Sequence, residues 1–142
     1  MSCEANKAVI RNWIAEGWNG GDVDGAAERY YADDYCMHDP AVPNLPPGVE
    51  GFKAYIHTFR DALGGVDVVV TDMLAEGDKV NWHFVLTATH TGPLLGIPAT
   101  GNRVSVTGML ISRIAGGKVA EEWINRDDLG LFQQLGVIPA MA

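Results

Sequence analysis

The side chains best suited to chemistry cluster near the C-terminal end of the chain. The run from Val119 to about Asp127 reads as a strand, and side chains alternate across a strand with period two. Val119, Glu121, Trp123, Asn125 and Asp127 then share one face, and Ala120, Glu122, Ile124 and Arg126 the other. A tryptophan, an amide and a carboxylate in register on the first face are what a lined pocket needs. Asp127 is the candidate general acid/base, because burial in an apolar pocket raises a carboxyl group toward the working range of such a catalyst. The competing role is a helix cap, and Asp128 is the better-placed residue for that, which frees Asp127.

Histidines give the second signal. In Lys79 to His90, the side chains of Trp82, Phe84, Leu86, Ala88 and His90 share a face, so an imidazole ends an apolar row and points at a cavity or bonds to a core carbonyl. His38 lies in Cys36-Met37-His38-Asp39-Pro40, within a segment holding prolines 40, 43, 46 and 47. His83 falls on the opposite face of its strand, and His57 on the outer face of its helix. None of the four shows a metal-ligand spacing such as H-x-H or H-E-x-x-H, so no metal is expected. Arg113 could orient a substrate oxyanion, or pair with Glu121 or Glu122 across a hairpin. Cys3 and Cys36 read as free thiols rather than a disulfide or ligand pair.

A chain of 142 residues with net charge −8 fits one domain, residues 1–142. No basic stripe favours nucleic acid, no apolar run suits a membrane span, and no G-x-G-x-x-G or Walker sequence cradles a nucleotide cofactor. The first residues lack the basic and apolar regions of a signal peptide, so a cytoplasmic home is expected.

The elements that must position these groups follow from hydrophobic period. About Glu4 to Asn19 is helical, with Ile10, Ile14 and Trp18 on one stripe. Asp22 looks like the cap of a second helix, Val23 to Tyr31. Residues 32–48 read as loop. A third helix, about Val49 to Leu63, carries Phe52, Tyr55, Ile56, Phe59 and Leu63, with Gly64-Gly65 as its stop. Strands follow: Val66 to Leu74, Lys79 to His90, Arg103 to Ile114 and the run from Val119, with turns at Gly77-Asp78 and Gly116-Gly117. A short closing helix ends near Gly136. Helices first and antiparallel strands afterwards argue an α+β fold. The connection Thr91 to Asn102 is apolar for a loop, so Leu94, Leu95 and Ile97 should cover a pocket mouth, join a subunit contact or pack on their own chain.

Three pieces together resemble one family. They are Trp18-Asn19 with Asp34-Tyr35-Cys36-Met37-His38-Asp39-Pro40; Thr89-His90-Thr91-Gly92-Pro93 through Pro98-Ala99-Thr100-Gly101; and Gly117-Lys118-Val119-Ala120-Glu121-Glu122-Trp123 with Asp127, Leu129-Gly130 and Gln133-Gln134-Leu135-Gly136. The chain is similar to the SnoaL-like polyketide cyclases, or ester cyclases, of the nuclear transport factor two-like superfamily. The resemblance implies a cone-shaped, cystatin-like α+β barrel: a curved antiparallel sheet around a pocket closed by N-terminal helices. It also implies a homodimer or homotetramer built on the sheet, no cofactor and no metal. Its chemistry is an intramolecular aldol condensation on a small hydrophobic carbonyl substrate. The family aspartate matches Asp127, and the family histidines match His38 and His90. Trp18, Phe59, Trp82, Met109, Arg113, Trp123 and Asn125 are then the expected substrate contacts. Limonene epoxide hydrolases of the same superfamily use a carboxylate–arginine–carboxylate trio with Arg-x-Asp on a strand, but Arg113 is followed two residues later by Ala115. A pocket that only binds a small apolar molecule is the third reading.

Overall fold

The computed structural model describes residues 2–139. Helix α1 (Cys3–Trp13) opens under the Ser2 hydroxyl, which accepts from the Ala5 N–H, and buries Val9, Ile10 and Trp13. The chain continues as a wider π-helical turn, Ile14–Asn19. Gly17 in that turn faces the Trp13 indole so closely that a Cβ would collide with the ring. Helix α2 (Val23–Tyr30) is capped by Asp22, as expected, through the Gly25 N–H. Helix α3 (Gly48–Arg60) buries Phe52, Tyr55, Ile56 and Phe59 on one side, as its spacing predicts, but ends sooner than expected. Leu63 already belongs to a strand, and Gly64-Gly65 lies inside it rather than at a helix stop.

Five strands form one sheet in the order β1-β5-β4-β3-β2: β1 (Tyr31–His38), β2 (Leu63–Glu76), β3 (Lys79–His90), β4 (Arg103–Ala115) and β5 (Lys118–Arg126). The α+β class holds, with two corrections. Residues 31–38, read mostly as loop, are a strand, and that strand runs parallel to β5, so the sheet is mixed. It is also open, because the order is linear and no pairing joins β1 to β2 among the described residues. Bulges at Gly64/Asp67 and Val70/Asp72 interrupt the β2–β3 register and bend that side of the sheet. The Gly116-Gly117 hairpin turn has φ of 59° and 77°, which glycine adopts without strain.

The inner face of β3 is the expected row, with Trp82, Phe84, Leu86, Ala88 and His90 all buried. Helices α1 to α3 cover this face. Helix α4 (Asp128–Gln134) closes one end, with Leu131 buried. In the apolar connection, Leu94 and Ile97 exchange backbone hydrogen bonds of 2.9 and 2.8 Å. Leu94 is fully buried and Ile97 packs against the core, so both cover their own chain. Leu95 sits at the turn between them, 58% exposed, with φ of 50°.

Strand β5 departs most from expectation. Its pairing with β4 slips by one residue, with Ile114 opposite Val119 but Arg113 opposite Glu121. Ala120 is the extra residue. A single insertion reverses which face every later side chain takes. Val119 therefore points in, and so do Glu122, Ile124 and Arg126, whereas Trp123 and Asn125 point out.

Candidate active site in the hollow under the helices

A hollow lies between the inner face of the sheet and the helices. Its walls are aromatic and aliphatic, including Trp13, Trp18, Phe52, Phe59, Trp82 and Phe84. The atom-free space is about 710 Å³, counting the part open to solvent. The enclosed part is narrow and admits no more than a handful of water molecules. Trp18, Phe59 and Trp82 are where the sequence places them, at the wall.

A carboxyl and a guanidinium group stand at the wall, those of Glu122 and Arg126, one turn of pleat either side of Ile124. Glu122 is 1% exposed. Its Oε1 accepts from the Tyr35 hydroxyl at 2.8 Å and the Tyr31 hydroxyl at 3.1 Å. Its Oε2 accepts from Ser112, its cross-strand partner on β4, and Ser112 in turn accepts from Trp82 Nε1 at 2.9 Å. Burial dominates and pushes the carboxyl up from the usual 4.5 to about 7, against the three hydroxyls that favour its charged form. A carboxylate offers about four acceptor sites, and three are taken. The fourth has no partner among the described residues.

Arg126 ends the inward row where β5 meets α4. Its Nε lies 2.7 Å from Asp128, and one terminal nitrogen lies 3.3 Å from buried Asp39 and bonds the Tyr55 hydroxyl. Tyr55 donates to Asp39 at 2.9 Å. The guanidinium also lies over the Phe59 ring, 4.7 Å from its centre. Burial raises the Tyr55 hydroxyl well above its usual range, so it stays a donor. Asp39, Arg126 and Asp128 thus form a carboxylate–arginine–carboxylate trio. The Arg-x-Asp spacing absent at Arg113 occurs at Arg126-Asp127-Asp128.

Asp127, the expected acid/base, does not line the hollow. Asp127 is exposed and caps α4, accepting from the Gly130 N–H at 2.9 Å; Asp127 rather than Asp128 is the cap. The slip at Ala120 removes it from the inward row. His38 is exposed on the outer face of β1, with Nε2 2.7 Å from Glu121. His90 is fully buried at the end of β3 but belongs to the packing of the apolar connection, not to the wall of the hollow. Its Nδ1 accepts from the Thr100 N–H at 3.1 Å, which leaves the proton on Nε2, for which no partner occurs among the described residues. Met109, Trp123 and Asn125 lie on the outer face, where Trp123 stacks on His38. With His38, both Trp123 and Asn125 border a shallow outer groove beside the proline-rich loop. Arg113 is also outside and pairs with Glu121 at 3.2 Å, the alternative its hairpin position allowed.

Unbroken alternation along β5 puts the groups that face the hollow on the opposite side. A usable signal existed: Glu122-Ile124 carries its apolar residue on the same parity as the glutamate, and Ser112 lies between Leu110 and Ile114 on β4.

The sequence profile of the SnoaL-like polyketide cyclase family matches residues 8–135. This chain belongs to that family. Two aklanonic acid methyl ester cyclases are 29% identical to it over 133 residues, DnrD of Streptomyces peucetius and DauD of Streptomyces sp. strain C5. Both alignments cover 90% of this chain, with 88% and 80% of the respective relative. Among solved structures, TsrD from Streptomyces laurentii superposes with a TM-score of 0.87 at 28% identity, covering 97% of this chain and 99% of that one. As a SnoaL-like chain, the protein keeps the family architecture. Its inward carboxylate is Glu122, two residues before Ile124 and outside the position expected for the family aspartate. No helix among its described residues is long and apolar enough to cross a membrane.

Proposed function

We propose that this SnoaL-like protein is an acid/base enzyme that closes a ring in a hydrophobic carbonyl compound, with Glu122 as the proton carrier. The observation that carries the reading is a carboxyl group in the wall of an apolar hollow, held near neutrality by burial and with one acceptor site to spare. A general base works best when its pKa lies near the operating pH. A methylene between two carbonyls is acidic enough for a carboxylate to deprotonate. Glu122 takes that proton, and the carbanion forms a carbon–carbon bond to a second carbonyl carbon of the same molecule. The carbonyl electron pair moves to its oxygen, and Glu122 returns the proton there. Formula is conserved and no cofactor is needed. The aromatic walls hold the substrate folded, which is where the entropy of such a closure is met. Because the enclosed space is narrow, the substrate enters by parting α3 and the π-helical turn from the sheet.

The test uses aklanonic acid methyl ester, the compound in the relatives' names. Turnover to a product of unchanged mass, lost in Glu122→Gln and kept in Asp127→Asn, supports the reading. Loss in Asp127→Asn with Glu122→Gln active would overturn it.

The Asp39–Arg126–Asp128 trio favours a second reading, hydrolysis of a strained ring such as an epoxide. One carboxylate would activate water and the other protonate the opening oxygen. Product mass separates the two, since a hydrolysed product is one water heavier and a cyclised one is not. For assembly, we propose a homodimer through the outer face of β2 to β4, where Val69, Leu74, Met109 and Ile111 are exposed. Light scattering that returns a monomer at micromolar concentration would remove it.

A further inference from the structure

On the side of the sheet away from the hollow, β1 and β5 bring together a thiol, an imidazole and a carboxylate. Cys36 and His38 are two apart on β1 and share its outer face. Glu121 is the register partner of Cys36 on β5. Cys36 Sγ, His38 Nε2 and a Glu121 oxygen all lie within 4.8 Å of one another. His38 Nε2 is 2.7 Å from Glu121 Oε2 and 3.8 Å from Cys36 Sγ.

We infer that Cys36, His38 and Glu121 form a binding site for a borderline divalent cation of the zinc type.

Two other roles fit the same residue types less well. In a nucleophilic triad the histidine uses one nitrogen toward the thiol and the other toward the acid. Here the same nitrogen, Nε2, is the one nearest both. The three donor atoms therefore converge on a point instead of forming a relay. A plain surface ion pair would explain His38 with Glu121, but not a thiol within reach of the same atom. Sulfur, imidazole nitrogen and carboxylate oxygen together are the donor set that zinc accepts, with one position left for water or a further ligand.

The surroundings hold the donors in place. The His38 ring stacks on Trp123 at 5.2 Å with an 18° tilt, which fixes its plane. The Glu121 oxygen not facing His38 is bonded by Arg113 Nε at 3.2 Å, so the carboxylate is oriented by a neighbour outside the ligand set. The chain's net charge of −8 adds a general attraction for cations. This site shares no residue with the hollow, so its failure and the failure of the cyclase reading are separate outcomes.

The experiment titrates reduced, chelator-treated full-length protein with Zn²⁺ against a competing fluorescent chelator, and with Co²⁺ by absorption. The expected result is one ion per chain with a thiolate-to-cobalt charge-transfer band in the near ultraviolet. Cys36→Ser should abolish the band and weaken Zn²⁺ binding at least tenfold, and His38→Gln should weaken it similarly. Cys3→Ser should leave both unchanged. A second measurement needs no variant: bound Zn²⁺ should protect Cys36, and not Cys3, from alkylation, read by peptide mass spectrometry. Absence of the band, unprotected Cys36 at saturating Zn²⁺, or binding in Cys36→Ser within twofold of the parent would each overturn the assignment.

Discussion

Replacing Glu122 by Gln should abolish most of the decline in folding stability between pH 5 and 8. The carboxyl sits at about 7 in the folded protein against 4.5 for an ordinary glutamate. Between those values the folded state holds a proton that the unfolded chain has released. The stabilisation is therefore complete below about pH 4.5 and is lost as pH rises through about 7. At about 1.4 kcal/mol per pH unit, the full span is worth about 3 kcal/mol, most of it between pH 5 and 8. In urea that is a midpoint shift of roughly 1 M. Glutamine keeps the shape and still accepts from Tyr31 and Tyr35. Its amide nitrogen meets Ser112, which must turn its hydroxyl away, so a pH-independent loss of about 1 kcal/mol is expected as well. The assay is urea denaturation followed by tryptophan fluorescence at several pH values, read as the difference between parent and variant. His57, raised by its bond to Asp24, loses its own contribution over a similar window, but that term is common to both proteins and cancels. If parent and Glu122→Gln weaken in parallel from pH 5 to 8, Glu122 is an ordinary ionised carboxylate and the proposed proton carrier is lost with it.

Arg126→Met should destabilise by about 3 kcal/mol in urea denaturation, because Asp39, with a side chain 3% exposed, loses its cationic partner and keeps only the neutral donors Tyr55 and the Ala41 N–H. Asp39→Asn should cost less than half as much, since Arg126 keeps Asp128; equal losses would show that the pair does not share its charge. Gly108→Ala would place a Cβ 2.5 Å from the Phe84 ring and should destabilise by about 1–3 kcal/mol, and an unchanged melting temperature would mean the wall of the hollow is loose. Leu95→Asn should stabilise by about 0.5–1 kcal/mol, because Leu95 and Gly96 have φ of 50° and 82° and Asn-Gly is the preferred pair for such a turn. A lower melting temperature for that variant would show that the exposed leucine is held by a contact of its own.

Much of the fold was legible because hydrophobic period is a local signal. The buried face of α3, the Asp22 cap, the β3 row and both glycine turns all follow from neighbours in the sequence. Strand β1 was not legible. Asp33 and Asp34 interrupt its alternation and the following prolines suggest loop, and only pairing with distant β5 makes it a strand. The facing of the β5 side chains was hidden for a sharper reason. Every inward residue of β5 after Ala120 depends on one inserted residue, and nothing in the local pattern forces a bulge there. Asp127, Asn125 and Trp123 went to the wrong face by a single step, and Glu122 and Arg126 were passed over by the same step. Trp18, Phe59 and Trp82 do line the hollow, because they lie on elements whose period carries no such slip at those positions.

The parallel seating of β1 against β5 has a consequence for how the chain assembles. Among the described strands, the first to leave the ribosome finds its one hydrogen-bonding neighbour in the last, so it must wait while the three strands between them pair with one another. Until then Tyr31 and Tyr35 have no glutamate to hold, and the floor of the future hollow is missing. Pulse-labelled exchange during refolding should find the amides of Cys36 to His38 protected well after those of Phe84 to Leu86; simultaneous protection would refute that sequence of events.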